Sequence, residues 1–342
     1  MRCLTLADAL REKGAEVTFV CREHHGHLFE LIESSGHQLL RLPLVTSSIE
    51  GRLAHAYWLD ASQEEDARQT AEALKTIGRA DWLIIDHYAL DVEWETAMRS
   101  CAKRIMVIDD LADRVHDCDV LLDQNLHLAD METRYERLVP ARCKKLLGPK
   151  YALLRPEFRE ARSKLKMRDG SVKRIFVFFG GSDVTNETAK ALRAIQQLGR
   201  PDLAVDVVIG SANPHQEEIT GLCAQLPHAA LHRQVNNMAE LMSKADLAIG
   251  AGGSTTWERC AMGLPTLVIT LAKNQRSVAF ELSRQGLIRW LGDNDEVDTG
   301  LIYQAIDMLI RKGLNADWSR LCQAVVDGMG LSRVVQAIAL FS

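Results

Sequence analysis

A glycine-rich turn between an apolar run and a helical run is the strongest candidate for ligand chemistry in this sequence. The stretch DLAIGAGGSTTWERC places Gly250, Gly252 and Gly253 directly after a predicted strand, and Ser254 and Thr255 then begin a predicted helix. Glycines let a backbone approach a ligand closely, and the free amides at a helix N-terminus suit a phosphate. We therefore expect this turn to bind a diphosphate.

A second turn of the same kind begins the C-terminal half of the chain. The stretch FVFFGGSDVTNET places Gly180, Gly181 and Ser182 after a predicted strand, so that two turns could grip one diphosphate from both sides. The stretch is not GxGxxG, and the dinucleotide-binding fingerprint is therefore absent. Asp183 and Asn186 follow, and a ligand role and a turn or capping role both stay open for them.

Three further polar residues of the C-terminal half could contact a sugar. Glu258 lies one turn into the predicted helix, where its carboxylate could accept hydrogen bonds from a ribose diol or simply interact with the helix dipole. Asn274 and Gln275 follow the apolar run PTLVIT. Their amides carry both donors and acceptors and suit sugar hydroxyls or acetamido groups, whereas the alternative role is a helix cap.

Polar residues also follow strands in the N-terminal half. Asp86, His87 and Tyr88 follow the run WLII, where His87 could act as a base and Tyr88 could bind substrate. The alternative for His87 is a side chain whose hydrogen bonds are satisfied by its neighbours. Asp109 and Asp110 follow the next strand. They could form an acid pair or bind magnesium, or they could cap a helix and stabilise a loop.

We expect neither a metal site nor a cofactor. His24, His25 and His27 share one loop, but no acidic or cysteine ligand lies nearby at a suitable spacing. The eight cysteines are scattered without a CxxC pair, which is typical of reduced thiols and not of zinc ligands or a disulfide framework.

Alternating apolar and helical runs organise the whole chain. An amphipathic helix is expected at the start, where Leu4, Ala7 and Leu10 recur at helical spacing before Gly14. The strand-like runs that follow are EVTFVC, HQLLRL, WLIIDHY, KRIMVIDD, DVLLDQN, KRIFVFFGGSD, AVDVVIGSAN, AALHRQV, DLAIGAGGS, PTLVITLA and LIRWLG. This alternation predicts an α/β fold with two doubly wound, Rossmann-like domains facing across a crevice.

The predicted domain boundaries follow a lapse in this alternation. The stretch after Lys144 contains Pro149, Pro156 and Gly170, which interrupt regular elements. We predict an N-terminal sugar-binding and catalytic domain over residues 1–150, a connection over 151–170, a nucleotide-binding domain over 171–330 and a terminal helix over 331–342.

Composition limits the classes of partner. The chain has 342 residues, a formal net charge of -5 and a pI near 6.1, so nucleic acid is not an expected partner. No apolar run is long enough to span a membrane, and the N-terminus lacks the features of a signal peptide. We expect a cytoplasmic protein with a small-molecule ligand.

Taken together, the motifs resemble one enzyme family over nearly the whole chain. MRCLTLADALR, DHYALD, IDDLADR, LLDQN, LLGPKYALLRPEF, FFGGSD, GAGGSTTWE and AKNQ occur in this order. The same order is found in the UDP-2,4-diacetamido-2,4,6-trideoxy-β-L-altropyranose hydrolases of pseudaminic acid biosynthesis, which are bacterial enzymes of surface-glycan synthesis. That family resembles the peptidoglycan N-acetylglucosaminyltransferase and shares its GT-B architecture.

The resemblance implies a role for each candidate residue. UDP would contact the following positions: Gly180, Gly181, Ser182, Val235, Met238, Gly252, Gly253, Ser254, Thr255 and Glu258. Val235 and Met238 would supply backbone contacts to uracil. The diacetamido sugar would contact Asp86, Tyr88, Asn274 and Gln275, with Tyr88 and His87 as the candidate catalytic residues.

The resemblance also implies a reaction. Water would attack the anomeric carbon with inversion and without a metal, and UDP would leave. In the family the histidine thought to activate water lies in a glycine-rich loop, two residues before the position of Met1, after a first strand. We therefore expect that strand and loop to be missing here and the activity to be impaired. A glycosyltransferase and a catalytically silent UDP-sugar-binding form remain the alternatives.

Overall fold

The computed structural model describes residues 1–24, 26–45, 53 and 55–340, and these residues form two compact α/β units. The N-terminal unit comprises Met1–Leu153 together with the segment that begins at Gly330, and the C-terminal unit comprises Leu154–Met329. The chain thus leaves the N-terminal unit once and returns to it. The predicted connection over 151–170 differs from this division, because residues from Leu154 onward belong to the C-terminal unit.

The N-terminal unit alternates strands with helices, and all of its strand pairs are parallel. Its strands are β1 (Thr18–Arg22), β2 (Gln38–Leu42), β3 (Ala80–Ile85), β4 (Ala102–Ile108), β5 (Val120–Asp123) and β6 (Lys144–Leu147). Its first helices are α1 (Arg2–Glu12), α2 (Phe29–Ser34), α3 (Gln63–Leu74) and α4 (Val92–Met98). Strands β1 and β2 form one sheet, and β3, β4, β5 and β6 form a second sheet in that order.

Strand β4 shows why the apolar runs of this unit do not alternate with polar residues. Ile105 packs on one face of the sheet with Trp94 of α4, whereas Met106 packs on the other face with Leu6 of α1. Parallel sheets covered by helices on both faces bury successive residues of each strand. The residues after each strand are therefore the first ones free to carry polar chemistry.

The C-terminal unit carries one six-stranded parallel sheet. Its strands are β7 (Arg174–Phe178), β8 (Ala204–Ile209), β9 (Ala229–Arg233), β10 (Leu247–Ala251), β11 (Thr266–Thr270) and β12 (Arg289–Asp293). Its helices are α5 (Pro156–Ser163), α6 (Glu187–Gln197), α7 (Gln216–Ala224), α8 (Met238–Lys244), α9 (Thr255–Ala261), α10 (Lys273–Arg284), α11 (Thr299–Lys312) and α12 (Ala316–Val325). The strand order is β12-β11-β10-β7-β8-β9.

This order creates a topological switch point between β7 and β10. The chain proceeds outward from β7 through β8 and β9 on one side, and outward from β10 through β11 and β12 on the other. Strands β7 and β10 are direct neighbours, with Gly250 opposite Phe178. In doubly wound sheets the loops at the carboxyl ends of such strands separate and leave room for a ligand.

The C-terminal helix α13 (Gly330–Ala339) belongs to the N-terminal unit. Val334 and Ile338 join the apolar cluster of Leu6 and Met106 on one face of the four-stranded sheet. The predicted terminal helix is confirmed as a helix, and its apolar side covers strands that precede it by more than half of the chain.

Several helices begin with the side-chain caps that their sequences favour. The Ser62 hydroxyl accepts a hydrogen bond from the backbone amide of Glu65 at the start of α3, and Asp91 and Asp298 cap α4 and α11 in the same way.

The predicted fold class is confirmed, and each strand-like run contains a strand. Two elements were missed because they lie in the stretch read as a lapse. Strand β6 begins with two lysines, Lys144 and Lys145, and is only four residues long. Pro156 begins α5 at the first helical position, where the absent amide hydrogen costs no helical hydrogen bond, and so starts a helix instead of interrupting one.

Candidate functional site

The two glycine turns of the C-terminal unit follow the two strands at the switch point. Gly180 and Gly181 follow β7, and Gly252 and Gly253 follow β10. Gly180 has a φ of 97°, which side chains rarely adopt, and a Cβ built on either Gly180 or Gly181 would meet none of the described atoms within 4 Å. The backbone of this turn therefore borders open space at the carboxyl edge of the sheet.

The three glycines of the β10 turn differ in what surrounds them. A Cβ on Gly250 would overlap the Phe178 carbonyl oxygen and lie 2.5 Å from Nη1 of Arg259. A Cβ on Gly253 would meet only the Gln275 amide nitrogen, at 3.9 Å. Gly250 is thus required by packing inside the unit, whereas Gly253 has room on its outer side for a ligand.

Ser254 and Thr255 lie where the sequence predicts, at the start of α9. Ser254 is the N-cap residue, is exposed, and makes no side-chain cap bond to the described backbone. A serine at this position commonly caps the helix. Its hydroxyl is therefore not used to close the turn.

Arg259 fixes α9 to the end of β10, and the sequence analysis missed it. The side chain is buried, and Nη2 donates to the Ala251 carbonyl at 2.6 Å and to the Thr256 hydroxyl at 3.0 Å. Burial lowers the pKa of this guanidinium to about 10. An arginine six residues after the last glycine of a turn carries no signal in the sequence that separates it from an exposed helical arginine.

Glu258 lies beside a second arginine that the sequence analysis did not single out. Arg155 lies 3.7 Å from the Glu258 carboxylate and 3.0 Å from that of Glu157. Burial raises the pKa of Glu258 to about 7, and the positive charges of Arg155 and Arg259 oppose that rise. The Glu258 carboxylate therefore interacts with Arg155 as well as with the helix dipole, and it lies at the side of α9.

Asp183 and Asn186 have structural roles. The Asp183 carboxylate accepts hydrogen bonds from the backbone amides of Glu187 and Thr188, at 2.9 and 3.0 Å, and so caps α6. Asn186 adopts a φ of 60° and donates to Glu218 at 2.8 Å. The capping alternative of the sequence analysis is confirmed for Asp183, and Asn186 stabilises the turn that precedes α6.

Val235 and Met238 lie in the connection from β9 to α8. Met238 is buried and begins α8, while Val235 is half-buried. Next to Met238, the backbone amide of Ala239 donates to Glu157 at 3.2 Å. The uracil contacts implied by the resemblance remain a prediction for these two residues.

Gln275 faces the β10 turn, whereas Asn274 is exposed. The Gln275 carbonyl oxygen accepts from the backbone amide of Leu271 at 3.0 Å and lies 3.4 Å from the position of a Cβ on Gly252. Asn274 is not the cap of α10, because the N-cap residue is Ala272. Gln275 thus links the end of β11 to the turn after β10.

In the N-terminal unit, Asp86 is paired with α1, and its predicted sugar contact remains a prediction. Arg2 donates to both carboxylate oxygens, at 2.9 and 2.6 Å, and the Cys3 thiol donates at 3.0 Å. Burial raises the pKa of Asp86, but these contacts outweigh it and the net pKa is lowered. The pair fastens the start of α1 to the end of β3.

The hydrogen bonding of His87 argues against a general-base role for this side chain. Its Nδ1 accepts a hydrogen bond from the Ala89 backbone amide at 3.1 Å, so Nδ1 is deprotonated and Nε2 carries the proton of the neutral ring. Burial lowers the pKa of His87 and keeps the ring neutral. His87 can donate a hydrogen bond, but its one lone pair is already occupied.

Tyr88 is part of a side-chain network that the sequence did not reveal. Its hydroxyl donates to Oδ1 of Asp110 at 2.6 Å, and the Asn125 amide donates to Oδ2 of Asp110 at 2.9 Å. Burial raises the pKa of Asp110. The ring of Tyr88 packs near His55 and Trp58, with centroids 5.6 and 5.7 Å away.

Asp109 pins the loop after β4, as one alternative predicted. Arg114 pairs with it at 2.8 Å, and the backbone amide of Ala112 donates to it at 2.9 Å. The Tyr135 hydroxyl lies 3.1 Å from Asp109 and 3.0 Å from Asp123. Burial raises the pKa of Asp123 to about 7.

In the histidine loop, two of the three histidines lie among the described residues. His24 contacts Asp60 at 3.0 Å, and His27 stacks on Phe29. His25 lies outside the described residues. Within those residues, no group of three or more histidine, cysteine, aspartate and glutamate side chains is placed to hold a metal ion.

Comparisons with known proteins bear on the fold and on the C-terminal unit. Residues 174–318 match the family model of the glycosyltransferase family 28 C-terminal domain. The spore coat polysaccharide biosynthesis protein SpsG of Bacillus subtilis is 35% identical over 191 residues, covering 55% of this chain and 56% of that protein. The chain therefore spans little more than half the length of this relative.

A second relative and a solved structure extend the comparison. The UDP-2,4-diacetamido-2,4,6-trideoxy-β-L-altropyranose hydrolase of Campylobacter jejuni is 28% identical over 206 residues, covering 60% of this chain and 71% of that protein. The crystal structure of Acinetobacter baumannii MurG aligns with a TM-score of 0.66 at 15% identity, covering 99% of this chain and 95% of MurG.

These similarities and the two parallel-sheet units place the chain in a fold class. None of the helices in the described part of the chain combines the length and the apolar character needed to cross a membrane. The chain has the GT-B fold, and residues 174–318 of its C-terminal unit are similar to the glycosyltransferase family 28 C-terminal domain.

Proposed function

We propose that this chain binds a UDP-sugar and hydrolyses it at the anomeric carbon, with UDP-2,4-diacetamido-2,4,6-trideoxy-β-L-altropyranose as substrate. The observation that carries the proposal is the pair of glycine turns on the adjacent strands β7 and β10, at the switch point of the sheet. Open space beside Gly180, Gly181 and Gly253 lets backbone amides reach a diphosphate. The similarity to the Campylobacter hydrolase supports the choice of sugar and reaction.

The C-terminal unit supplies the nucleotide contacts in this proposal. The turns at 180–182 and 252–255 hold the diphosphate through backbone amides and the hydroxyls of Ser182, Ser254 and Thr255. Glu258, held beside Arg155, accepts hydrogen bonds from the ribose diol. The backbone around Val235 and Met238 contacts uracil, and Asn274 and Gln275 contact the sugar.

The reaction is a displacement by water. The water oxygen bonds to the anomeric carbon as the bond from that carbon to the β-phosphate oxygen breaks, and one water proton is released. UDP leaves with an additional negative charge, which amides and hydroxyls at the turns stabilise because their donors are already oriented. Since the Nδ1 lone pair of His87 is occupied, we assign the general-base role to none of the described residues.

The test combines a binding measurement with a turnover measurement. Isothermal titration with UDP reads the nucleotide site, and a coupled assay reads UDP release from the diacetamido substrate. Binding with release supports the hydrolase. Binding without release supports a silent UDP-sugar-binding form, and a folded sample that binds no UDP would refute the proposal.

A UDP-sugar glycosyltransferase is the second candidate. The observation that favours it is the match of residues 174–318 to a glycosyltransferase domain model, because the same nucleotide site serves transfer to an alcohol. The two functions differ in where the sugar goes. Incubation with the UDP-sugar alone releases free sugar only for a hydrolase, whereas a transferase releases UDP efficiently only when an acceptor is added.

A further inference from the structure

We infer that Cys118 and Cys143 form a reversible disulfide within the N-terminal unit, in which Cys143 reacts with a hydroperoxide and Cys118 resolves the product. The modification is independent of the proposed function, because it needs neither a nucleotide nor a sugar. All eight cysteines of the chain are free thiols in this structure. The inference therefore concerns a second oxidation state of the same protein.

The two cysteines lie side by side, just before two neighbouring parallel strands. Cys118 comes two residues before β5 and Cys143 directly before β6, and their sulfur atoms are 3.5 Å apart. Val120 pairs with Lys144, so the two cysteines are offset by one residue along the strands. A strand spacing of about 4.8 Å and a rise of about 3.3 Å per residue give a Cα separation of about 6 Å. This separation is usual for a disulfide, so the bond can form without moving the strands.

Bonds between the flanking residues hold the two thiols against each other. The residues before the two cysteines are joined, because the Arg142 guanidinium donates to the Asp117 carboxylate at 2.7 Å. The residues after them are joined too, because the backbone amide of Lys144 donates to the Asp119 carbonyl at 2.9 Å. Arg99 donates to the carboxylates of both Asp117 and Asp119, at 2.8 and 2.6 Å. The contact between the sulfur atoms is therefore fixed from both sides.

The two thiols differ in exposure and in the charges around them. Cys118 is 0% exposed, whereas Cys143 is 9% exposed. The hydrogen bond from Cys118 and the positive charges of Lys145 and Arg142 lower the pKa of Cys143, although burial and the Asp119 carboxylate oppose this shift. The contact with Cys143 and burial raise the pKa of Cys118. Because the thiolate is the nucleophile, Cys143 is the attacking thiol and Cys118 the resolving one.

The oxidation proceeds in two balanced steps. The Cys143 thiolate attacks one peroxide oxygen, so that an S–O bond forms, the O–O bond breaks, and the leaving oxygen takes up a proton. The Cys118 sulfur then attacks the Cys143 sulfur, so that the S–S bond forms, the S–O bond breaks, and water leaves with the Cys118 proton. Two electrons pass from the two sulfurs to the peroxide. With hydrogen peroxide, two thiols are converted to one disulfide and two water molecules.

A second thiol pair, in the C-terminal unit, lacks these features. Cys260 contacts Cys322, but the two residues are only 1% and 0% exposed. The Cys322 thiol also donates to the Leu287 carbonyl at 3.2 Å. Thiols that are shut off from solvent react slowly with oxidants. We therefore expect the Cys260–Cys322 pair to stay reduced, which makes it an internal control.

The experiment treats the reduced full chain with graded hydrogen peroxide and stops the reaction with catalase. The remaining thiols are alkylated in denaturant, and disulfide-linked peptides are identified by mass spectrometry. We expect a peptide pair linked through Cys118 and Cys143, together with the loss of two of the eight thiols. Dithiothreitol should restore both thiols. Half-buried Cys101, whose sulfur lies 3.8 Å from the Ser100 hydroxyl, reports that the peroxide has reached the protein.

Alanine variants test the order of the two steps. In C118A the oxidised Cys143 has no thiol to resolve it, so labelling of Cys143 by dimedone, which traps sulfenic acids, should rise several-fold above wild type. In C143A the buried Cys118 should not be labelled above the wild-type level. C101A is the matched control, and it should keep the Cys118–Cys143 linkage.

Three results would overturn the inference. The first is the absence of the Cys118–Cys143 linkage at a peroxide dose that oxidises Cys101. The second is an equal yield of a Cys260–Cys322 linkage, because exposure would then not select the pair. The third is stronger labelling of Cys118 in C143A than of Cys143 in C118A. The first two results come from the wild-type chain, so they decide the matter even if a variant fails to fold.

Discussion

Alanine at Gly250 and alanine at Gly253 should have opposite consequences, although the two glycines are three positions apart. At Gly250 the added Cβ overlaps the Phe178 carbonyl and approaches the Arg259 guanidinium. Neither group can move away easily, since the carbonyl belongs to a central strand and the buried guanidinium holds the Ala251 carbonyl. At Gly253 the Cβ meets only the Gln275 amide.

The geometry gives the expected magnitudes. Adding a methyl group to a packed interior costs about 1–3 kcal/mol, and the backbone contact places G250A at the upper end of this range. With a typical urea dependence of about 2 kcal/mol per M, the midpoint of unfolding should fall by about 1 M or more. G253A should leave the free energy of unfolding within about 0.5 kcal/mol of wild type.

We expect UDP affinity to be affected more by G253A than by G250A, which is the reverse of the order for stability. The Gly253 methyl group would occupy space that we assign to the diphosphate, and we expect UDP affinity to fall about tenfold. Urea unfolding followed by tryptophan fluorescence and titration with UDP measure the two effects. A G250A protein as stable as wild type would refute the packing argument, and a G253A protein with unchanged UDP affinity would refute the ligand argument.

Three further predictions concern charged groups. Asp123 retains a proton up to about pH 7 in the native state but loses it near pH 4 when unfolded, so the free energy of unfolding should fall as pH rises between these values. D123N should flatten that fall in urea unfolding at pH 5, 6 and 7, and equal slopes would contradict the burial argument. Arg168 donates to the carbonyls of Met242, Ala245, Met262 and Gly263, so R168K should lower the free energy of unfolding by about 2–3 kcal/mol, with the exposed K166A as control. E258Q should weaken UDP binding about tenfold in calorimetric titration, because a neutral amide is a weaker acceptor for the ribose diol, whereas the exposed E240Q should not.

The parallel-sheet fold could be predicted because periodicity and turn chemistry are local properties. The runs IMVI and LAIG are apolar throughout, and each ends in polar residues or glycine, which is typical of strands buried on both faces. Strand β6 was missed because two lysines open a four-residue strand, so its sequence shows neither an apolar run nor an alternation.

The candidate site could be located from sequence but its contacts could not. The glycine turns follow strands that the sequence already identifies, and their place at the switch point follows from strand order. The partner of Asp86 is Arg2, 84 positions away, and no local pattern connects them. The tautomer of His87 depends on one backbone amide two residues later, whose direction is set by the turn and not by the residue types.

The return of α13 to the N-terminal unit has a consequence for synthesis on the ribosome. Its residues Val334, Ala337 and Ile338 complete an apolar cluster whose other buried members lie before Leu154. At usual elongation rates, residues 154–329 take roughly ten to thirty seconds to emerge. During that interval the first half of the chain waits with an uncovered apolar face, while the C-terminal unit is contiguous and can fold as it emerges. The nascent N-terminal half therefore exposes apolar surface until α13 has been synthesised.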